Sequence, residues 1–105
     1  ALAGTVLRPI SPGGGESAHH LYPVEVTEGD PEEVLGRLVE RGIGVGRHYP
    51  FLCPDQQAAR GIGVELDSLP VARRLASREL SLPIHPYLEE REVAATIEAC
   101  QAACA

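Results

Sequence analysis

The chain has 105 residues, enough for one domain with a single modest core, and a formal net charge of −6. That acidity argues against a nucleic-acid backbone or an anionic membrane as the main partner, and no apolar run reaches the ~20 residues that a membrane helix needs. All nine basic residues are Arg, so a lysine Schiff base is chemically impossible within these residues, because an arginine keeps its proton.

The three cysteines, Cys53, Cys100 and Cys104, are odd in number and irregular in spacing, which is not a disulfide framework; a reducing, cytoplasmic setting is expected. The chain opens Ala-Leu-Ala-Gly with neither Met nor a basic region. No secretory signal is visible, and a mature or excised fragment is expected.

Thr5 to Ile10 reads as a short strand, confined to a sheet edge by Pro9. Ser11 to Ser17, with Pro12 and Gly13-Gly14-Gly15, reads as a flexible loop. A phosphate cradle would need a strand before these glycines and a helix opening with Lys-Ser/Thr after them, and that context is missing. His20 to Val26 alternates, with Tyr22, Val24 and Val26 on one face, and predicts a strand. Pro23 places an edge or a bulge on one side of it.

Asp30-Pro31-Glu32-Glu33 is a helix start: Asp30 caps, Pro31 suits the first turn, and the acids face the positive end of the dipole. Val34, Leu35, Leu38 and Val39 form its apolar stripe, and Gly42 closes it as a left-handed cap.

Gly42 to Pro50 alternates like a strand, with Ile43, Val45, Arg47 and Tyr49 on one face and Gly44, Gly46 and His48 on the other. Glycines on one face of a strand fit where another backbone, a helix or a ligand lies close against that face. The strand would deliver Arg47, His48 and Tyr49 together before Pro50 stops it. The segment from Phe51 to Gly63 reads as a long loop with one helical turn near Gln56 to Arg60.

Ser68 is the expected cap of a second helix, with Pro70 in its first turn and Val71, Ala72, Leu75, Ala76 and Leu80 at helical spacing. Ser81 to Pro86 predicts a short strand limited by two prolines. A last helix runs from about Glu89 to Ala103, with Val93, Ile97, Cys100 and Cys104 as its buried stripe and no Ser, Thr, Asp or Asn to cap it. The expected fold class is α+β: a small, mostly antiparallel sheet with helices packed on one face.

Four constellations could carry chemistry. Cys100 and Cys104, with His85 or His48, lack the close C-x-x-C pairs of a closed zinc site and read as core residues, so no metal is expected. Gly42-x-Gly44-x-Gly46 follows a helix and enters a strand, the reverse of a dinucleotide fingerprint. Cys53 with His48 lacks an orienting third group and an oxyanion site. Arg47-His48-Tyr49 remains: a cationic fork, a two-way hydrogen-bonding ring and an amphipathic ring suit a polar ligand such as a sugar phosphate, although a solvated strand end would look the same.

The ordered set His20-Leu21-Tyr22, the Pro31 to Arg41 helix, Gly42 to Pro50, Leu69-Pro70-Val71-Ala72 with Leu75-Ala76, and Leu80-Ser81-Leu82-Pro83-Ile84-His85-Pro86 resembles the C-terminal part of DegT/DnrJ/StrS-type sugar aminotransferases. The resemblance implies that residues 1–105 are the small domain of a fold-type I, pyridoxal-phosphate enzyme, with 1–19 as edge segment and loop. It implies an amino transfer, usually from glutamate, to a keto sugar nucleotide. The large domain would carry cofactor and lysine, and a homodimer would place active sites at the subunit interface. Arg47, His48, Tyr49 and, second, His20 would contact substrate, and Tyr22 would border the same cleft. This chain alone would hold no cofactor and have no catalytic residue. Glu89 in place of a Thr or Ser cap, Pro23 and the Gly13 to Gly15 run depart from the family pattern. The competing expectation is a standalone module with the same fold that binds a small ligand or another protein.

Overall fold

A computed structural model describes residues 2–11, 13–63 and 67–104. Pro12, part of the expected loop, lies outside them. Strand β1 (Leu7–Pro9) pairs antiparallel with β2 (Tyr22–Val26), which pairs antiparallel with β3 (Glu79–Leu82), giving the order β1-β2-β3. β1 takes the edge that Pro9 demands.

β2 is the central strand in spite of Pro23, and the register shows why this is tolerated. The Pro23 carbonyl accepts from the Ile10 N–H at 3.0 Å, so the backbone polar groups of Pro23 face the point where β1 has just ended. Its missing N–H costs a ladder bond only at the sheet margin. Its other neighbour, Ser81, turns its own N–H and carbonyl away, toward Gly46.

Helix α1 (Pro31–Glu40) begins as its sequence dictates, with the Asp30 carboxylate accepting from the Glu32 N–H at 3.0 Å. It ends in a Schellman turn: Gly42 N–H reaches the Val39 carbonyl at 2.9 Å, Ile43 N–H reaches Leu38 at 3.1 Å, and Gly42 has φ +79. The long loop carries two single 3-10 turns, Cys53–Asp55 and Gln57–Ala59, and Asp55 ties it to Arg73 at 2.6 Å.

Helix α2 (Pro70–Arg78) corrects two expectations. Its cap position is held by Leu69 at φ 51, without a side-chain cap bond; Ser68 instead bonds Asp67 and offers its carbonyl to Arg73. Leu80 does not close the helical stripe, because α2 passes directly into β3, where Leu80 and Leu82 point into the core. Helix α3 (Glu90–Cys104) starts with Glu92 reaching back to the Glu89 N–H at 2.8 Å, half of a capping box that substitutes for the absent Ser or Thr. Its buried face is Ala99, Cys100, Ala103 and Cys104, whereas Val93, expected inside, is 46% exposed.

Helices α1 and α3 cover the apolar face of the sheet, where Val24, Val26, Leu80 and Leu82 meet Val34, Leu38 and Cys100. Each fully buried Val or Leu there contributes about 1.5–3 kcal/mol. Helix α2 contacts β2 and brings Arg74 to Glu25, which alternation places on the opposite face.

The expected strand over Gly42 to Pro50 shrinks to one bridge, Gly46 to Ser81. Gly42 is spent on the helix cap, and His48 gives its N–H to a side chain, so the ladder has no continuation on either side. Ile43 and Val45 still pack against the core, but Tyr49 has turned out to 71% exposure.

Candidate functional site

Three backbone donors hold the segment from Gly46 to His48 against β3. Gly46 N–H reaches the Ser81 carbonyl at 3.2 Å, Ser81 N–H reaches the Gly46 carbonyl at 2.8 Å, and His48 N–H reaches Glu79 Oε2 at 2.8 Å. Ser81 Oγ donates to the other Glu79 oxygen at 2.5 Å. Glu79 is only 6% exposed, so both bonds form away from bulk water, where they are stronger.

Arg47 braces the same segment. One guanidinium nitrogen meets Glu32 Oε1 at 2.6 Å and another donates to the Ala76 carbonyl at 2.7 Å, joining the start of α1 to α2. Its Nε is buried and has no hydrogen-bond partner among the described residues. The Arg47 fork is therefore largely committed to the protein, and His48 and Tyr49 supply the solvent-facing chemistry.

The two rings pack edge to face with centroids 5.5 Å apart, across a cis peptide. The imidazole folds back over Gly46, where an added Cβ would lie 2.9 Å from His48 Cε1. The close neighbour at Gly46 is therefore the His48 side chain, not the other backbone, helix or ligand that the sequence suggested. Gly44 has no such neighbour within 4 Å. His48 can donate or accept, and Tyr49 can do either from its hydroxyl while its ring offers an apolar face.

The fourth residue expected at the site, His20, is not brought to the other three. It precedes Tyr22, whose register partner is Leu82, while His48 is bonded to Glu79 at the opposite end of β3. His20 and Tyr22 line an open cavity of about 620 Å³ together with Pro9, Ile10 and Ser17. Tyr22 also borders an apolar groove of about 390 Å³ with His85 and Ile97.

Glu79 is the residue that sequence reasoning missed. In a helical register it looks like one more solvated carboxylate. The available signal was Glu79-Leu80-Ser81-Leu82, a period of two with polar and apolar residues on opposite faces. Its register partner, Glu25, is also buried and is held by Arg8 and Arg74. The Arg8 hydrogen bond keeps the Glu25 carboxyl below its ordinary range against the opposing effect of burial, and the Arg74 charge adds to it.

Burial pushes the Cys100 thiol up to about 11, with Cys104 adding, and raises Cys104 as well. Among the described residues no group of three or more His, Cys, Asp or Glu could hold a metal ion, and no helix is long and apolar enough to cross a membrane. Without a lysine, these residues do not fit covalent attachment of an aldehyde cofactor.

The model of the DegT/DnrJ/EryC1/StrS aminotransferase family matches residues 2–101. The chain is 33% identical over 94 residues to a dTDP-4-dehydro-2,3,6-trideoxy-D-glucose 4-aminotransferase of Saccharopolyspora spinosa, covering 88% of this chain and 23% of that protein. It superposes on Streptomyces venezuelae DesV, solved with a ketimine intermediate, with TM-score 0.81 and 30% identity over 96% of this chain and 27% of that one. Spr1654 of Streptococcus pneumoniae in its PLP form gives TM-score 0.79 and 29% identity over 97% and 27%. The chain spans about a quarter of the length of these relatives. A match that runs almost from end to end, over a shared fold, makes this chain a member of the DegT/DnrJ/EryC1/StrS aminotransferase family.

Proposed function

We propose that this chain is the C-terminal small domain of a pyridoxal-phosphate aminotransferase that acts on a keto sugar linked to a nucleotide. The match over residues 2–101, against relatives about four times as long, carries this reading. The name of the Saccharopolyspora spinosa relative, which specifies a dTDP-linked sugar, supports the substrate class. The cofactor would supply the electron sink, held by a lysine from the remaining three-quarters of the parent. A cytoplasmic homodimer completes the proposal.

This chain's own share is to wall the substrate cleft. Arg47 locks the segment to α1 and α2. His48 and Tyr49 face the substrate, the imidazole bonding polar sugar or phosphate oxygens and the phenol ring covering an apolar sugar face. His20 forms a second contact region in its own cavity. Because these contacts bind and orient, their loss raises KM more than it lowers kcat.

The test uses the full-length parent with glutamate and a dTDP-linked 4-keto sugar. Amino transfer by the parent, with a raised keto-sugar KM in His48→Ala and Tyr49→Ala, is the expected result. Turnover by the 105-residue chain alone, or a parent inert toward every dTDP-linked keto sugar tried, overturns the reading. A standalone binding module would instead show ligand-induced changes in the lone chain with no amino transfer in any larger form.

A further inference from the structure

We infer that Glu79 is a positioning residue for substrate binding, whose buried carboxylate fixes the His48 backbone and so the direction in which His48 and Tyr49 face the sugar nucleotide. This rests on the reading above that His48 and Tyr49 touch the substrate.

The register carries the inference. Gly46 and Ser81 form the one bridge between this segment and β3. Two residues further along each chain, a continuing ladder would set His48 opposite Glu79 and give the His48 N–H to the Glu79 backbone carbonyl. Instead the His48 N–H takes Glu79 Oε2 at 2.8 Å. The side chain stands in for the ladder, and the segment is free to turn outward at Tyr49 while its last backbone donor stays anchored.

The position is an unfavourable one for a carboxylate chosen for packing alone. Glu79 lies directly opposite a second buried carboxylate, Glu25, and like charges opposite one another in a sheet are destabilising. Glu25 has Arg8 and Arg74, and an apolar side chain at 79 would avoid the repulsion. Glu79 offers something an apolar residue lacks: an ionised acceptor for one backbone N–H, itself oriented by Ser81 Oγ at 2.5 Å. The imidazole then folds over Gly46 within 2.9 Å of a Cβ position, so a shift of the His48 backbone is passed straight to the ring.

The experiment compares Glu79→Gln, Glu79→Met and Glu79→Asp in the full-length aminotransferase, with His48→Ala and Tyr49→Ala as references. Glutamine keeps an acceptor for His48 and turns its amide toward Ser81 Oγ, so it is expected to retain a keto-sugar KM within about threefold of the parent, the loss of a charge-assisted bond to a neutral one. Methionine matches the volume and removes the acceptor; the keto-sugar KM is expected to rise about tenfold, with kcat and the glutamate KM nearly unchanged. Aspartate keeps the charge but withdraws it by one methylene, and is expected to behave like methionine, which covers the case in which Glu79→Met does not fold. An unchanged keto-sugar KM in Glu79→Met or Glu79→Asp overturns the role of Glu79, as does an equal rise for both substrates without rescue by glutamine. If His48→Ala and Tyr49→Ala themselves leave the keto-sugar KM unchanged, the reading of the cleft fails, and this inference fails with it.

Discussion

Glu25 on β2 and Glu79 on β3 stand opposite each other in register, both buried, yet their carboxylates are satisfied by different chemistry. Glu25 is met by two guanidinium groups, from Arg8 on β1 and Arg74 on α2. Glu79 is met by a backbone N–H and a hydroxyl. One carboxylate ties elements together through charge, and the other places a segment through direction.

The first expectation follows from Glu25. Its folded-state carboxyl sits below the ordinary value of 4.5, chiefly through the Arg8 hydrogen bond. A depressed carboxyl contributes stability that is complete above the unfolded value and is lost as pH falls through the folded one. Denaturation between pH 6 and pH 3, conditions chosen to bracket ~4.5, should show the parent losing stability more steeply than Glu25→Gln. At neutral pH Glu25→Gln should be less stable by about 1 kcal/mol, because the released Arg8 and Arg74 are half exposed and regain water. Parallel pH profiles for the two proteins would contradict the assignment.

Gly46→Ala separates site from scaffold. The added methyl would approach His48 Cε1 to 2.9 Å, and what must yield is an exposed ring rather than backbone. The unfolding midpoint should therefore change little, with a cost under about 1 kcal/mol. The ring must swing off Gly46, so in the full-length enzyme the keto-sugar KM should rise toward that of His48→Ala. The double variant should add nothing to His48→Ala, because both changes act through one side chain. Additive effects would show that Gly46 matters for another reason.

Much of the fold was legible because local chemistry and tertiary position agreed. Asp30-Pro31 and Gly42 bracket α1 by satisfying orphan groups at its two ends, and Pro9 lies on the edge strand that its missing N–H favours. The failures fall where a tertiary contact decides. Leu80 fits a helical stripe by spacing and leaves the helix because β2 offers Val24 as a strand partner. Ser68 is the better cap by type, but Leu69 takes that place once Asp67 has claimed Ser68. That Arg47, His48 and Tyr49 lie side by side was legible, but that Arg47 turns inward while His48 and Tyr49 stay exposed was not. That Arg47 turns inward depends on Glu32 and Ala76, which lie 15 and 29 residues away in the chain.

The cysteines should react in two classes. Cys53 lies exposed in a 3-10 turn, whereas Cys100 and Cys104 are buried on α3 with thiols raised by that burial. A thiolate is the reactive form, so iodoacetamide at pH 8 should label Cys53 in the native protein and leave the α3 pair untouched until denaturant is added. Mass spectrometry of tryptic peptides reads this directly. Early labelling of Cys100 would mean that α3 opens locally, which its packing against Leu38 and Leu80 does not predict.

Three glycines spaced two apart give three different expectations from one stretch. Gly42 has φ +79 and open space around its Cα, so Gly42→Ala carries backbone strain alone and should cost about 1 kcal/mol by undoing the Schellman turn. Gly44 has a φ that any residue adopts and nothing within 4 Å. Gly44→Ala should therefore be neutral or stabilise by up to about 1 kcal/mol, since alanine narrows the unfolded ensemble. Denaturant midpoints should rank Gly44→Ala at or above the parent and Gly42→Ala below it, while the keto-sugar KM should move only in Gly46→Ala. A KM change in Gly42→Ala as large as that in Gly46→Ala would show that strain at the helix end reaches His48, and that the bridge to Ser81 does not insulate the site from α1.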